Sequence, residues 1–262
     1  MLLEVRDLSI EFHDHGIPER VVEHVSFSLD SGEILGIVGE SGSGKSMTAL
    51  AIAGLLPRKK MNKEGSILFE GEDVLTMERK DLRLLQGDEI CMIFQEPMTA
   101  LNPTMRIGRQ VEEALRVHHS ELDAAARKER ALRWLENVGL NDSERVYVSY
   151  PHELSGGMRQ RVMIAAAMVG GPKLLIADEP TTALDVTVQA QVISLLKRLN
   201  KEERVAILFI SHDLSLIQQI STDVCVMQKG RIVEQGSVEH IFERPENDYT
   251  KRLIAAVPRV EL

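Results

Sequence analysis

The sequence predicts an α/β fold with an antiparallel β subdomain at its N-terminus and a mostly helical subdomain inserted midway. Three observations predict it. A short, nearly continuous apolar run at Glu33–Val38 reads as a strand covered on both faces, and Lys173–Ala177 and Val205–Ile210 read as further strands. Runs of helical spacing at Lys45–Leu56, Gly157–Val169 and Val186–Leu199 alternate with them. Between Glu96 and about Pro151 no strong strand pattern appears, while Arg109–His118 and Ala124–Val138 have helical spacing with charged faces.

In chain order, Leu3, Val5, Leu8, Ile10 and Phe12 alternate with polar residues and read as a strand. A polar segment at His13–Glu19 reads as a turn, Val21–Leu29 as a second strand, and Asp30-Ser31-Gly32 as the next turn. The strand Glu33–Val38 runs into a glycine-rich loop and the helix from Lys45, which Pro57 ends. Ser66–Phe69 and Glu89–Phe94 are further strands, and a strand-rich stretch at Asp223–Glu234 closes the sheet. The expected partition is a core with its β subdomain over 1–95 and 160–240, a helical lobe over 96–159 and a tail over 241–262.

Composition narrows the function classes. The 262 residues carry a net charge of −9, which argues against a general nucleic-acid binder with its basic face. Cys91 and Cys225 lie in separate apolar runs, so they read as buried thiols in a reducing compartment, neither a disulfide nor a metal pair. No apolar run has the length of a membrane span, and the acid-bearing opening is unlike a signal peptide, so any membrane role is expected to come through partner chains.

Gly39-Glu-Ser-Gly-Ser-Gly44-Lys45-Ser46 fits G-x-x-x-x-G-K-[ST] between a strand and a helix. The glycines let the backbone curl so that successive N–H groups converge, and the start of the following helix adds its positive end. Gly39, Ser41, Gly42, Ser43, Gly44, Lys45, Ser46 and Met47 are therefore the expected phosphate cradle. Lys45 would reach the β- and γ-phosphates of ATP, and the Ser46 hydroxyl would bind Mg²⁺.

The strand Leu174-Leu-Ile-Ala177 ends in Asp178 and Glu179. Neighbouring strand side chains point to opposite sides, so the two carboxylates would serve different roles. Asp178 suits the shell of a magnesium ion and Glu179 the polarisation of an attacking water. Taken alone, the pair would read as a solvated acidic turn before Pro180; the phosphate loop elsewhere in the chain favours the catalytic reading.

Leu154-Ser155-Gly156-Gly157-Met158-Arg-Gln160-Arg161 resembles the signature of ABC ATPases, with Met158 where glutamine is usual and where the peptide/nickel importer branch commonly carries methionine. Ser155 with the Gly156 and Gly157 amides would form a second phosphate nest at a helix start, although Ser-Gly-Gly is also an ordinary helix cap. Other stretches follow in the family's order. Gln95 resembles the Q-loop glutamine that senses Mg²⁺ and the water, Thr182-Ala-Leu-Asp185 the D-loop, and His212 the switch histidine at the γ-phosphate. Phe12 is either a core aromatic or, by resemblance, the ring that stacks on adenine. Phe94–Pro103 and the tail Arg244–Pro258 resemble the dipeptide, oligopeptide and nickel importer ATPases, so the likeness runs from about Leu2 to Pro258.

That resemblance implies a P-loop NTPase (RecA-like) core and a head-to-tail pair of ATPase subunits, each ATP lying between one P-loop and the other subunit's signature. It implies catalytic Glu179, His212 and Gln95; nucleotide contacts from Phe12, the loop, Ser155, Gly156, Gly157 and Asp185; and metal contacts from Ser46, Gln95 and Asp178. The implied partners are a homologous, non-identical ATPase subunit, two transmembrane permease subunits and an extracytoplasmic solute-binding protein, with this chain peripheral at the cytoplasmic face of the membrane. Some relatives carry a cysteine-rich end for an iron–sulfur cluster; none is expected here. Three alternatives stand beside this reading. A channel-free ABC protein would bring a coiled coil or a second cassette, and a dead binding module conflicts with Lys45, Asp178, Glu179 and His212. The accessory ATPase of a carbon–phosphorus lyase system resembles this branch more closely.

Overall fold

The computed structural model describes residues 1–14, 17–57, 61–95, 100–182 and 184–256. The chain forms two compact units, Met1–Leu82 with Ala206–Leu262, and Arg83–Val205.

In the first unit, β1 (Leu3–Asp14) pairs antiparallel with β2 (Ile17–Leu29) and with β4 (Met61–Phe69), and β5 (Glu72–Asp73) adds to the far edge. The apolar residues of β1 break strict alternation: Leu3 and Val5 are followed by Leu8 and Ile10, yet all four are buried. A one-residue slip would turn the second pair to solvent. The register shifts between Val5 and Leu8, and Asp7 takes φ 50, so a bulge absorbs the extra residue and returns Leu8 to the core. The turn expected at His13–Glu19 is shorter than predicted, because both strands extend into it.

The second sheet of this unit places β3 (Ile34–Val38) between β8 (Ala206–Ser211) and β9 (Asp223–Gln228), parallel to both. β10 (Arg231–Ser237) returns antiparallel on β9. Every residue of β3 and β8 is buried, which is why these runs lack alternation. Each large apolar side chain so buried contributes about 2 kcal/mol. The helices of this unit are α1 (Lys45–Ile52), α9 (Leu214–Ile220), α10 (Val238–Glu243) and α11 (Asp248–Ala255), α9 packing on β3 and β8. α1 stops at Ile52, short of the predicted Leu56. Among the described residues no helix is long and apolar enough to cross a membrane.

The second unit has β6 (Ile90–Ile93) parallel to β7 (Leu174–Asp178). Around them lie α3 (Ile107–Val111), α4 (Glu113–His118), α5 (Ala124–Asn137), α6 (Ser143–Val148), α7 (Gly156–Met168) and α8 (Val186–Glu203). Glu112 keeps helical dihedrals, so the chain stays helical across α3 and α4. Glu112 is 2% exposed, and its carboxylate would be costly unpaired. Arg116 Nη2 donates to it at 2.8 Å and the Tyr147 hydroxyl also donates, which ties α4 to α6. Asp123 caps α5 by accepting from Ala126 N at 2.8 Å.

Candidate nucleotide site

The glycine-rich loop leaves the end of β3 in the first unit. A Cβ at Gly39 would lie 2.1 Å from the Met227 carbonyl oxygen of β9, so only glycine lets the loop pass that strand. Gly44 takes φ 101 as the residue before α1, again a glycine conformation. Its carbonyl accepts from Thr48 N at 3.0 Å, opening the helix.

Lys45 is the first residue of α1 and 4% exposed. A buried ammonium needs charge-assisted partners. Its Nζ donates to the Gly39 carbonyl at 2.8 Å and the Glu40 carbonyl at 2.9 Å, so the lysine folds back along the loop. Ser43 is also buried, at 5% exposed, and its Oγ has no hydrogen-bond partner among the described residues. An orphaned hydroxyl and a buried ammonium on one curled loop fit a chain of phosphate oxygens.

The outer side of this loop meets the C-terminal segment. Glu40 N–H donates to the Tyr249 hydroxyl oxygen at 3.0 Å, and Tyr249, in the first turn of α11, is 3% exposed. Burial pushes its phenol up from the ordinary value. Asn247 caps α11 by accepting from Tyr249 N at 2.8 Å. Also in this unit, Phe12 is half-buried on β1, opposite Glu19 and Met61 in register. His212 is exposed just beyond β8, between Ser211, whose Oγ accepts from Asp213 N at 2.9 Å, and Asp213, which caps α9.

In the second unit Asp178 is the buried last residue of β7, at 5% exposed. Glu179 follows with φ 47, a left-handed conformation that costs a non-glycine residue about 1–2 kcal/mol. Two donors hold its carboxylate there: Gln95 Nε2 at 2.8 Å and Thr182 Oγ1 at 3.0 Å, both to Oε2. Gln95 and Glu179 are thus brought together, and Thr182, which the sequence marks only as part of a D-loop-like stretch, joins them.

A second cluster in this unit is built on helix starts. Ser155 caps α7, its Oγ accepting from Met158 N at 3.3 Å, and Asp185 caps α8, accepting from Val188 N at 2.9 Å. A Cβ at Gly157 would lie 3.0 Å from Val188, so the two helix starts are close neighbours. Gln160 on α7 is fully buried. Ala183 of the Thr182–Asp185 stretch, residues 96–99 of the Phe94–Pro103 stretch, and Val257 and Pro258 of the tail lie outside the described residues.

The loop, with its buried lysine, places the chain among P-loop nucleotide-binding proteins. A family model described as ABC transporter matches residues 22–182, and the chain belongs to that family. It is an ATP-binding ATPase of that family. The chain is 50% identical over 261 residues to the oligopeptide transport ATP-binding protein OppD of Bacillus subtilis, covering 99% of this chain and 73% of that one. It is 52% identical over 261 residues to the peptidoglycan transport ATP-binding protein YejF of Agrobacterium fabrum, and spans about half (48%) of that protein's length and 99% of its own. Among solved structures, the dimeric post-hydrolysis cassette MJ0796 bound to ADP and Pi superposes with a TM-score of 0.80 at 25% identity, over 90% of this chain and 99% of that one. CbiO1 of Clostridium perfringens, part of the cbiONQ transporter complex, gives 0.78 at 26% identity over 99% and 96%.

Proposed function

We propose that this chain energises the import of peptides through a membrane transporter, sitting at the cytoplasmic face beside two permease subunits and fed by an extracytoplasmic solute-binding protein. The observation that carries the peptide reading is the 50% identity to an oligopeptide transport subunit over 99% of the chain. The peptide names of these relatives favour this reading over nickel chelates and over the carbon–phosphorus lyase role.

In the proposed reaction, the loop amides and Lys45 hold the ATP phosphates. Glu179 accepts a proton from the attacking water, whose oxygen bonds to the γ-phosphorus as the β–γ bridging bond breaks. The left-handed backbone at Glu179 and the donors Gln95 and Thr182 aim the carboxylate. His212 would contact the γ-phosphate and Phe12 the adenine. By the family resemblance, the Ser46 hydroxyl, the Asp178 carboxylate and the Gln95 amide oxygen would hold magnesium, which prefers such oxygen donors. When bound, the ion neutralises charge on the phosphate oxygens.

Ser155, Gly156, Gly157 and Asp185 would serve the nucleotide of a second, homologous ATPase subunit that is not identical to this one. A cleft of about 460 Å³ in the second unit, bordered by Phe94, Leu101 and Val117, offers the permease subunits an apolar seat. Phe94 is 44% exposed and Val117 67% exposed, so both offer apolar surface for a partner to cover. Reconstitution with the permease and binding-protein genes tests the reading: ATP-dependent uptake of a labelled peptide is expected, and uptake of nickel but no peptide would overturn it.

A further inference from the structure

The C-terminal segment, which the catalytic scheme does not use, reaches the phosphate loop through one side chain. Glu40 N–H and the Gly39 carbonyl belong to a single peptide group. A trans peptide is planar, so its N–H and C=O point opposite ways and fixing one fixes the other. Tyr249 Oη accepts from the N–H at 3.0 Å on one side. Lys45 Nζ donates to the carbonyl at 2.8 Å on the other. The next carbonyl, of Glu40, accepts from both Lys45 Nζ at 2.9 Å and Ser43 N at 3.2 Å.

Tyr249 is itself held firmly. Glu234 of β10 accepts from Glu246 N at 2.7 Å and Asn247 N at 3.2 Å, just before α11 begins. Burial alone would raise the Glu234 carboxyl, but the bond from Glu246, then neighbouring Thr250, the Asn247 bond and His240, outweigh it and hold it below the ordinary value. The start of α11 is therefore pinned to β10, and its first turn presents a buried hydroxyl to the loop.

We propose that Tyr249 is a positioning residue for nucleotide binding: its hydroxyl fixes the Gly39–Glu40 peptide and, through that carbonyl, the seat of Lys45. The proposal rests on the reading of the loop as the ATP site. Without the hydroxyl, the peptide group loses one of its two holds and the acceptor for Lys45 is less firmly fixed. The loop must then be ordered on binding, which weakens affinity for ATP and ADP alike. The contact is remote from the γ-phosphoryl transfer, so the loss is uniform: KM for ATP rises and kcat holds.

Tyr249→Phe keeps the ring and removes only the hydroxyl. Calorimetry on the purified chain should give Kd values for MgATP and MgADP about three- to tenfold higher than wild type, the range one neutral hydrogen bond spans. The ATPase activity of the assembled transporter should show the same rise in KM at unchanged kcat. Lys45→Ala separates the two claims. If Lys45→Ala loses nucleotide while Tyr249→Phe binds as wild type, or loses kcat at unchanged KM, the positioning role is overturned and the loop reading stands. If both variants bind as wild type, the loop reading falls and the inference falls with it. Amide hydrogen exchange covers the case in which Phe disturbs the fold. In the wild-type chain the Glu40 amide should be protected, and unprotected exchange there would overturn the proposal without any substitution.

Discussion

Gln95 and Glu179, 84 residues apart in the chain, are joined by a 2.8 Å hydrogen bond from Nε2 to Oε2. The Thr182 hydroxyl donates to the same oxygen at 3.0 Å. The carboxylate proposed to activate water is thus aimed by two neutral donors from different segments of the second unit.

If that aim matters, removing a donor should slow the chemistry and spare binding. Thr182→Val replaces the hydroxyl with a methyl of similar size. In the assembled transporter kcat should fall about three- to tenfold, the worth of one hydrogen bond, with ATP affinity unchanged. A variant with wild-type kcat would remove Thr182 from the account.

The backbone at Glu179 supplies a stability test. At φ 47, glycine is relieved of a Cβ clash that alanine retains. Glu179→Gly should therefore be more stable to denaturant than Glu179→Ala by about 1 kcal/mol, read from the unfolding midpoints at a common slope. Equal midpoints, or a more stable alanine variant, would mean the left-handed geometry is not strained. Both variants should lack hydrolysis, so stability and activity part company at this position.

Both cysteines bear on chemical labelling. Burial pushes the Cys91 and Cys225 thiols up to about 12, far above the ordinary range. The reactive thiolate is then a negligible fraction near pH 8. A thiol reagent should label neither residue in the native chain over the time in which it labels both in guanidinium. Rapid native labelling of either would contradict the buried placement.

The sequence made the core legible because buried strands announce themselves. Glu33–Val38 and Val205–Ile210 were predicted within a residue of β3 and β8, since a strand covered on both faces has no polar position to blur its ends. The loop was legible for a related reason: its glycines answer to steric needs that the contacts at Gly39 and Gly44 make concrete. A short helix with no buried face was not. α2 (Arg79–Leu85) buries no residue, so it carries no apolar stripe to read. The bulge at Asp7 shows only as one missed beat in the alternation of β1. The contacts that shape the candidate site were the least legible. Gln95–Glu179 and Glu40–Tyr249 span 84 and 209 residues, and no local pattern encodes such pairs. The left-handed Glu179 falls on a residue type that gives no hint of it.

The central claim is that this chain binds ATP on its phosphate loop and hydrolyses it with Glu179 as the base. The most direct measurement is the steady-state ATPase rate of the assembled transporter carrying Glu179→Gln, alongside MgATP binding to the same variant. The account predicts wild-type affinity with turnover reduced at least about a hundredfold, the lower range for losing a general base. Near-normal turnover, with nucleotide still bound, would contradict it.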